Sequence, residues 1–177
     1  MTTLRAVTGP EALTVRDQLV ETYAAVFCAP PWNESAERAA RFGDLLVGWA
    51  GQPGFVAVLA GDDRRVTGFA LGLDTPTPFP ADRAYGSVRN ILGPAVEPFS
   101  GWLEVAELAV RPDARRAGLG RRLLATLTGD RPSWLLTVTE VEGTLAFYDA
   151  AGWLRQGAGY GITVYTNRPL PTPTRPG

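Results

Sequence analysis

The sequence predicts an α/β (α+β) fold, on three observations. The stretch from Trp102 to Leu124 reads as a strand, a proline-marked turn, a glycine-punctuated loop and the start of a helix. The apolar segments along the whole chain carry strand and helix signatures in the order β-α-α-β-β-β-α-β-α-β-β. At 177 residues, 45% hydrophobic and 20% charged, the chain also has the length and composition of one globular domain with a sizeable core.

Leu4 to Val7 is a short strand, closed by Gly9-Pro10. Pro10 then opens a helix to about Phe27, with Leu13, Leu19, Val20, Tyr23 and Phe27 as its apolar stripe. Two prolines make Cys28 to Ser35 a loop, and Ser35 is placed to cap a helix from Ala36 to about Trp49. Phe42, Leu45, Leu46 and Trp49 are its expected buried face. Gly54 to Ala60 and Val66 to Leu73 form a hairpin around Gly61-Asp-Asp-Arg-Arg. The segment from Asp74 to Ser100 has five prolines and little periodicity, so it reads as a long functional or mobile connection with a helical turn at Val88 to Leu92. After the central stretch, a helix runs to about Thr128 and Trp134 to Val138 is a strand. Gly143 to Ala151 is a short helix ended by Gly152. Trp153 to Gln156 and Ile162 to Thr166 are the last strands, paired across a turn at Gly157-Ala-Gly159. The tail from Pro169 is proline-rich and expected to be extended or loosely ordered.

The central stretch carries the chemistry. Val105, Leu108 and Val110 suit a buried strand, and Pro112 must end it because it cannot donate to a ladder. Arg115-x-x-Gly118-x-Gly120 follows, then Arg121 and Arg122, with Leu123, Leu124 and Leu127 at helical spacing. Free amides at a helix N-terminus, glycines that permit close approach and adjacent arginines together suit a phosphate. A Walker loop is excluded because the chain has no lysine. A dinucleotide fingerprint is excluded because position 123 is leucine. The plain alternative is a tight turn that needs small residues and no ligand.

Composition narrows the remaining classes. All 17 basic residues are arginine and histidine is absent, which removes histidine as base or metal ligand and lysine as Schiff-base former. A net charge of −1 gives no sign of nucleic-acid binding. The single Cys28 allows no internal disulfide and no cysteine-rich metal site, and reads as a small buried residue. No signal peptide or membrane-spanning run is evident, so a cytoplasmic location is expected, with no membrane partner and no metal.

The Arg115-x-x-Gly118-x-Gly120 junction resembles the acetyl-CoA-binding motif of the GCN5-related N-acetyltransferase (GNAT) family, and the element order is similar to that of the same family. The likeness is strongest over about 102–153. It implies a GNAT-type domain over residues 1–168 followed by a tail at 169–177. It also implies a mixed, mostly antiparallel sheet with helices on both faces, whose central strand splays from the next to admit pantetheine. Leu108, Ala109 and Val110 would then meet pantetheine through the backbone. Arg115, Arg116, Ala117, Gly118, Leu119, Gly120 and Arg121 would surround the pyrophosphate. The expected partners are acetyl-CoA, as co-substrate, and an amine acceptor, with a homodimer left open.

Transfer of an acetyl group to an amine needs a base for the amine proton and favours an acid for the leaving thiolate. Without histidine the base must be a carboxylate, directly or through water. Glu107 lies on the central strand between apolar Val105 and Ala109, where burial would raise its pKa. The alternatives are a structural carboxylate paired with arginine, and Glu104 as base from the opposite face. Phe147-Tyr148-x-x-x-Gly152-Trp153 resembles the family segment whose tyrosine serves as general acid, which points to Tyr148. Val141 departs from the asparagine that the family often carries seven residues before that tyrosine. Trp32 and Glu34 are the candidate acceptor contacts, with Phe79, Tyr85 and Phe99 of the long connection nearby. An antibiotic-modifying member, a non-catalytic coenzyme-binding regulatory module and a protein-interaction domain are the other functions compatible with the fold.

Overall fold

A computed structural model of the chain describes residues 3–62 and 64–171; the end of the proline-rich tail, 172–177, lies outside the described residues. Seven strands form one mixed sheet: β1 (Leu4–Val7), β2 (Val56–Gly61), β3 (Val66–Asp74), β4 (Leu103–Val110), β5 (Ser133–Val138), β6 (Leu154–Gly159) and β7 (Ile162–Thr166). Their order is β1-β2-β3-β4-β5-β7-β6. Four of the pairings are antiparallel, β1/β2, β2/β3, β5/β7 and β6/β7. The β4/β5 pairing is parallel, through Leu103↔Ser133 and Glu104↔Trp134. The helices are α1 (Gly9–Thr14), α2 (Arg16–Phe27), α3 (Ala36–Ala50), α4 (Arg83–Leu92), α5 (Leu119–Thr128) and α6 (Glu142–Ala150).

Two compact units divide these elements. The first comprises the chain up to Leu73 together with Val105–Gly129. Its core sets Leu19, Tyr23 and Phe27 of α2 and Phe42 and Leu46 of α3 against Ala57, Leu59, Phe69 and Ala109 of the sheet. Val58 and Ala60, which alternate with Ala57 and Leu59 along β2, are buried as well, and α5 packs against β1 and β2. Both faces of the sheet are therefore covered by helices here.

The single expected helix from Pro10 to Phe27 is two. The Thr14 hydroxyl donates to the Glu11 carbonyl at 2.7 Å, and the Val15 amide turns to Ala12 O at 3.2 Å. Val15 consequently leaves the helical region, at φ −115° and ψ 22°. Helix α1 is tied at its start by the Thr8 amide, which donates to Glu11 Oε2 at 2.8 Å. Ser35 caps α3 as expected, its Oγ accepting from the Arg38 amide at 3.3 Å. Leu45, expected on the buried face, is 47% exposed. It stands beside the stripe of Ala39, Phe42 and Leu46, about 100° around the helix from Leu46.

The second unit comprises Asp74–Glu104 and the chain from Asp130. The connection read as long and functional or mobile, with only a helical turn at Val88 to Leu92, holds the longer helix α4 and a 3-10 helix over Gly93–Phe99. Val88, Val96, Phe79 and Phe99 of this segment pack on Trp134 and Val164. The Trp134 indole N–H donates to Thr75 Oγ1 at 2.7 Å. The last hairpin turns later than expected, at Tyr160-Gly161, with φ 52° and 76°. Positive φ at both central residues matches the twist of the flanking strands. Gly157 and Gly159 belong to β6. A Cβ on Gly157 would lie 2.7 Å from Ile91 Cγ2, so the glycine there admits the side chain of α4. No helix among the described residues is long and apolar enough to cross a membrane.

Candidate active site

The first unit carries the glycine-rich loop. Strand β4 ends where Pro112 starts a 3-10 turn, Pro112–Ala114, and the Arg115 side chain folds back to donate from Nε to Val110 O at 3.0 Å. Arg116 and Gly118 both take left-handed conformations, at φ 70° and 69°, and Gly118 is the N-cap of α5. A Cβ on Gly118 would meet nothing within 4 Å, so the residue is required by its conformation, with open space beside it. Helix geometry leaves the amides of Leu119, Gly120 and Arg121 without intrahelical acceptors. Arg115, Arg116, Ala117 and Arg121 are exposed, and the first turn of α5 holds no acidic residue. This donor set fits a diphosphate. Leu108, Ala109 and Val110 lead into it as the last residues of β4.

Glu107 lies one residue earlier on β4. Alternation puts it on the same side of the sheet as Val105 and Ala109, and Ala109 belongs to the core cluster with Tyr23, Phe27 and Phe42. Part of the residue stays accessible, but desolvation of its carboxyl, then the Glu34 charge, push its pKa up to about 8 against the opposing pull of Arg38. Among the described residues no arginine forms an ion pair with it within 4.0 Å. Its setting is that of a carboxyl held protonated well above the usual range, distinct from a structural Glu–Arg pair.

Glu34 stands in the same neighbourhood. It accepts from the Tyr23 hydroxyl at 2.8 Å and pairs with Arg38 at 3.2 Å. Burial, and then the Glu107 and Glu34 charges, raise the Tyr23 phenol above its ordinary range. Trp32 packs edge-on against Phe27, with ring centroids 5.3 Å apart. The half-buried Cys28 directs its thiol to Ser35 O at 3.7 Å. Tyr23 and Arg38 were not singled out from the sequence. Arg38 follows Glu34 at i+4, a legible pairing signal; Tyr23 was legible only as part of an apolar stripe.

The remaining candidates belong to the second unit. Glu104 accepts a short hydrogen bond from the Tyr85 hydroxyl, while burial raises the Glu104 pKa against that bond. Phe79 and Phe99, expected beside the acceptor, are core rings there, 3% and 0% exposed, because α4 and the 3-10 helix fold them onto Trp134. Tyr148 is buried on α6 against Trp153 and Tyr165, at centroid distances of 6.1 and 5.4 Å. The Tyr165 hydroxyl donates to Asp149 Oδ1 at 3.1 Å, and Asp149 pairs with Arg155. No group of metal-ligating side chains is present among the described residues.

The acetyltransferase (GNAT) family model matches residues 17–153. The chain belongs to that family, as its mixed sheet and the strand–loop–helix junction at β4 and α5 also indicate. Among solved structures it is similar to a GNAT-family protein from Desulfovibrio desulfuricans, at 26% identity and a TM-score of 0.56, over 94% of this chain and 98% of that one. A PaiA N-acetyltransferase from Thermoplasma acidophilum, solved in complex with coenzyme A, shares the fold at 12% identity and a TM-score of 0.65, over 95% and 99% of the two chains. The ribosomal-protein-S18-alanine N-acetyltransferase from Escherichia coli does so at 15% identity and 0.56, over 94% and 92%. No curated protein sequence matches the chain.

Proposed function

We propose that this chain is an acetyl-CoA-dependent N-acetyltransferase that acts on a primary amine of a small molecule or a protein. The observation that carries the reading is Glu107, a desolvated carboxyl with no arginine ion pair among the described residues, three residues before the end of the strand that leads into the Gly118–Gly120 loop.

Bound acetyl-CoA supplies the acetyl group as an activated thioester. Leu108, Ala109 and Val110 hold its pantetheine arm through backbone groups. Arg115, Arg116, Ala117, Gly118, Leu119, Gly120 and Arg121 hold its diphosphate through amides and guanidinium groups. Glu107 takes the amine proton onto its carboxylate. A base that titrates near 8 combines a useful ionised fraction near neutrality with far more proton affinity than an ordinary carboxylate. Tyr148 donates its phenolic proton to the departing sulfur, a role supported by the family likeness of its segment. Trp32 offers its ring to the acceptor.

Calorimetric titration with acetyl-CoA, followed by thiol release in the presence of an alkylamine, a diamine, an amino acid and a peptide with a free N-terminus, tests the proposal. Saturable coenzyme binding with amine-dependent release is expected. Binding with no release across all four amines would contradict it in favour of a non-catalytic coenzyme-binding module.

A further inference from the structure

Charge beside Trp32 made Glu34 a candidate acceptor contact, but both of its carboxylate oxygens are already engaged. The Tyr23 hydroxyl donates to Oε2 at 2.8 Å, and Arg38 Nε lies 3.2 Å from Oε1. Its backbone is held too, since the Glu34 amide donates to Phe27 O at 2.8 Å and the next residue, Ser35, caps α3. Tyr23 is itself fixed by ring contacts, 4.3 Å from Phe42 and 4.5 Å from Phe27 between centroids. Only 18% of the Glu34 side chain is exposed, against 69% for Arg38. An incoming ammonium would have to compete with two partners that the fold already supplies.

The network lies where Glu107 is. Ala109 packs in one cluster with Tyr23 and Phe42, and strand alternation brings Glu107 to that side. The charged groups that act on Glu107 from the elements packed there are Glu34 before α3 and Arg38 on α3, and the Glu107 charge acts in turn on the Tyr23 phenol of α2.

We propose that Glu34 is a positioning residue for Glu107 and not an acceptor contact: clamped by Tyr23 and Arg38, it holds a fixed charge on the side of the sheet that Glu107 faces. The inference rests on Glu107 being the base of the reaction proposed above. Like charge disfavours ionisation of a second carboxyl, and the more exposed Arg38 is the better screened by solvent.

The test follows the carboxyl itself. The carbon-13 carboxyl resonance of Glu107, assigned by its loss in Glu107→Gln, is titrated in wild type, Glu34→Gln and Arg38→Gln. Glutamine at 34 keeps an acceptor for Tyr23 and removes only the charge. The midpoint is expected to fall in Glu34→Gln and to rise in Arg38→Gln. The pH–rate midpoint, measured with acetyl-CoA and an amine that gives thiol release, should move with it while acceptor KM holds. Unmoved midpoints in both variants would overturn the proposal. So would a severalfold rise in acceptor KM in Glu34→Gln with the midpoint unchanged, which marks an acceptor contact. If Glu34→Gln does not fold by thermal melt, the exposed Arg38→Gln decides alone. Full turnover in Glu107→Gln would remove the base assignment, whereas the resonance midpoints report the Glu34 coupling independently of activity.

Discussion

Glu107 binds its proton more tightly in the folded chain, at about 8, than in the unfolded one, where 4.5 is the ordinary value. Between those values the native state holds a proton that the unfolded state has released, so this residue's contribution to stability falls as pH rises through the window. Glu107→Gln has no such proton to lose. Its melting temperature is expected to decline less than that of wild type between about pH 5 and pH 8, and a steeper decline would contradict the burial of this carboxyl. Tyr148→Phe keeps the ring that packs on Trp153 and Tyr165. Coenzyme affinity should hold while turnover drops, and turnover within about twofold of wild type, where chemistry limits the rate, would deny Tyr148 the acid role. Gly118→Val places a β-branched side chain at φ 69° in the open space beside the α5 amides. Acetyl-CoA affinity measured by calorimetry should fall at least tenfold, and wild-type affinity would displace the diphosphate from this loop. At this scale the desolvation of Glu107 was legible in the sequence, because Val105 and Ala109 flank it at the strand period. Its neighbours Glu34 and Arg38 could not be tied to it, since only the packing of α2 and α3 on the sheet brings such distant positions together.

Elements were legible where one periodicity ran unbroken. Strand β4 and helix α5 have the expected limits because Pro112 and Gly118 mark their ends. Misreadings came where local hydrogen bonding or a tertiary contact overrode the pattern. The Thr14 side chain interrupted the first helix, a competition that apolar spacing does not record. Helix α4 has Tyr85, Val88 and Leu92 at i, i+3 and i+7, a stripe obscured by the prolines around it. Gly157 and Gly159 looked like a turn because glycine signals turns more often than close packing. Ile91 of α4 supplies the actual reason. Gly157→Val should therefore destabilise the protein by about 1–3 kcal/mol through the clash with Ile91 and Leu92, as measured by denaturant unfolding. A stability unchanged within error would mean that α4 does not press on β6.

For the whole molecule, the order of strands and helices was readable, and with it the family likeness, because each element carries its own local signal. The placement of β7 between β5 and β6 was not. The expected hairpin paired β6 with β7 but said nothing of which strand would meet β5, and Trp134↔Thr166 is a contact between positions far apart in sequence. The acceptor was illegible for a similar reason. The rings of the 74–100 segment could be counted in the sequence, but not sorted into core and surface. What the sequence and structure agree on is a glycine-rich strand–loop–helix junction following a strand that carries a desolvated carboxyl. The most direct test of that account is turnover of Glu107→Gln with acetyl-CoA and a releasing amine, beside a coenzyme titration of the same variant. Turnover should fall by about 10²–10⁴ with coenzyme affinity retained, and wild-type turnover across the pH range would contradict it.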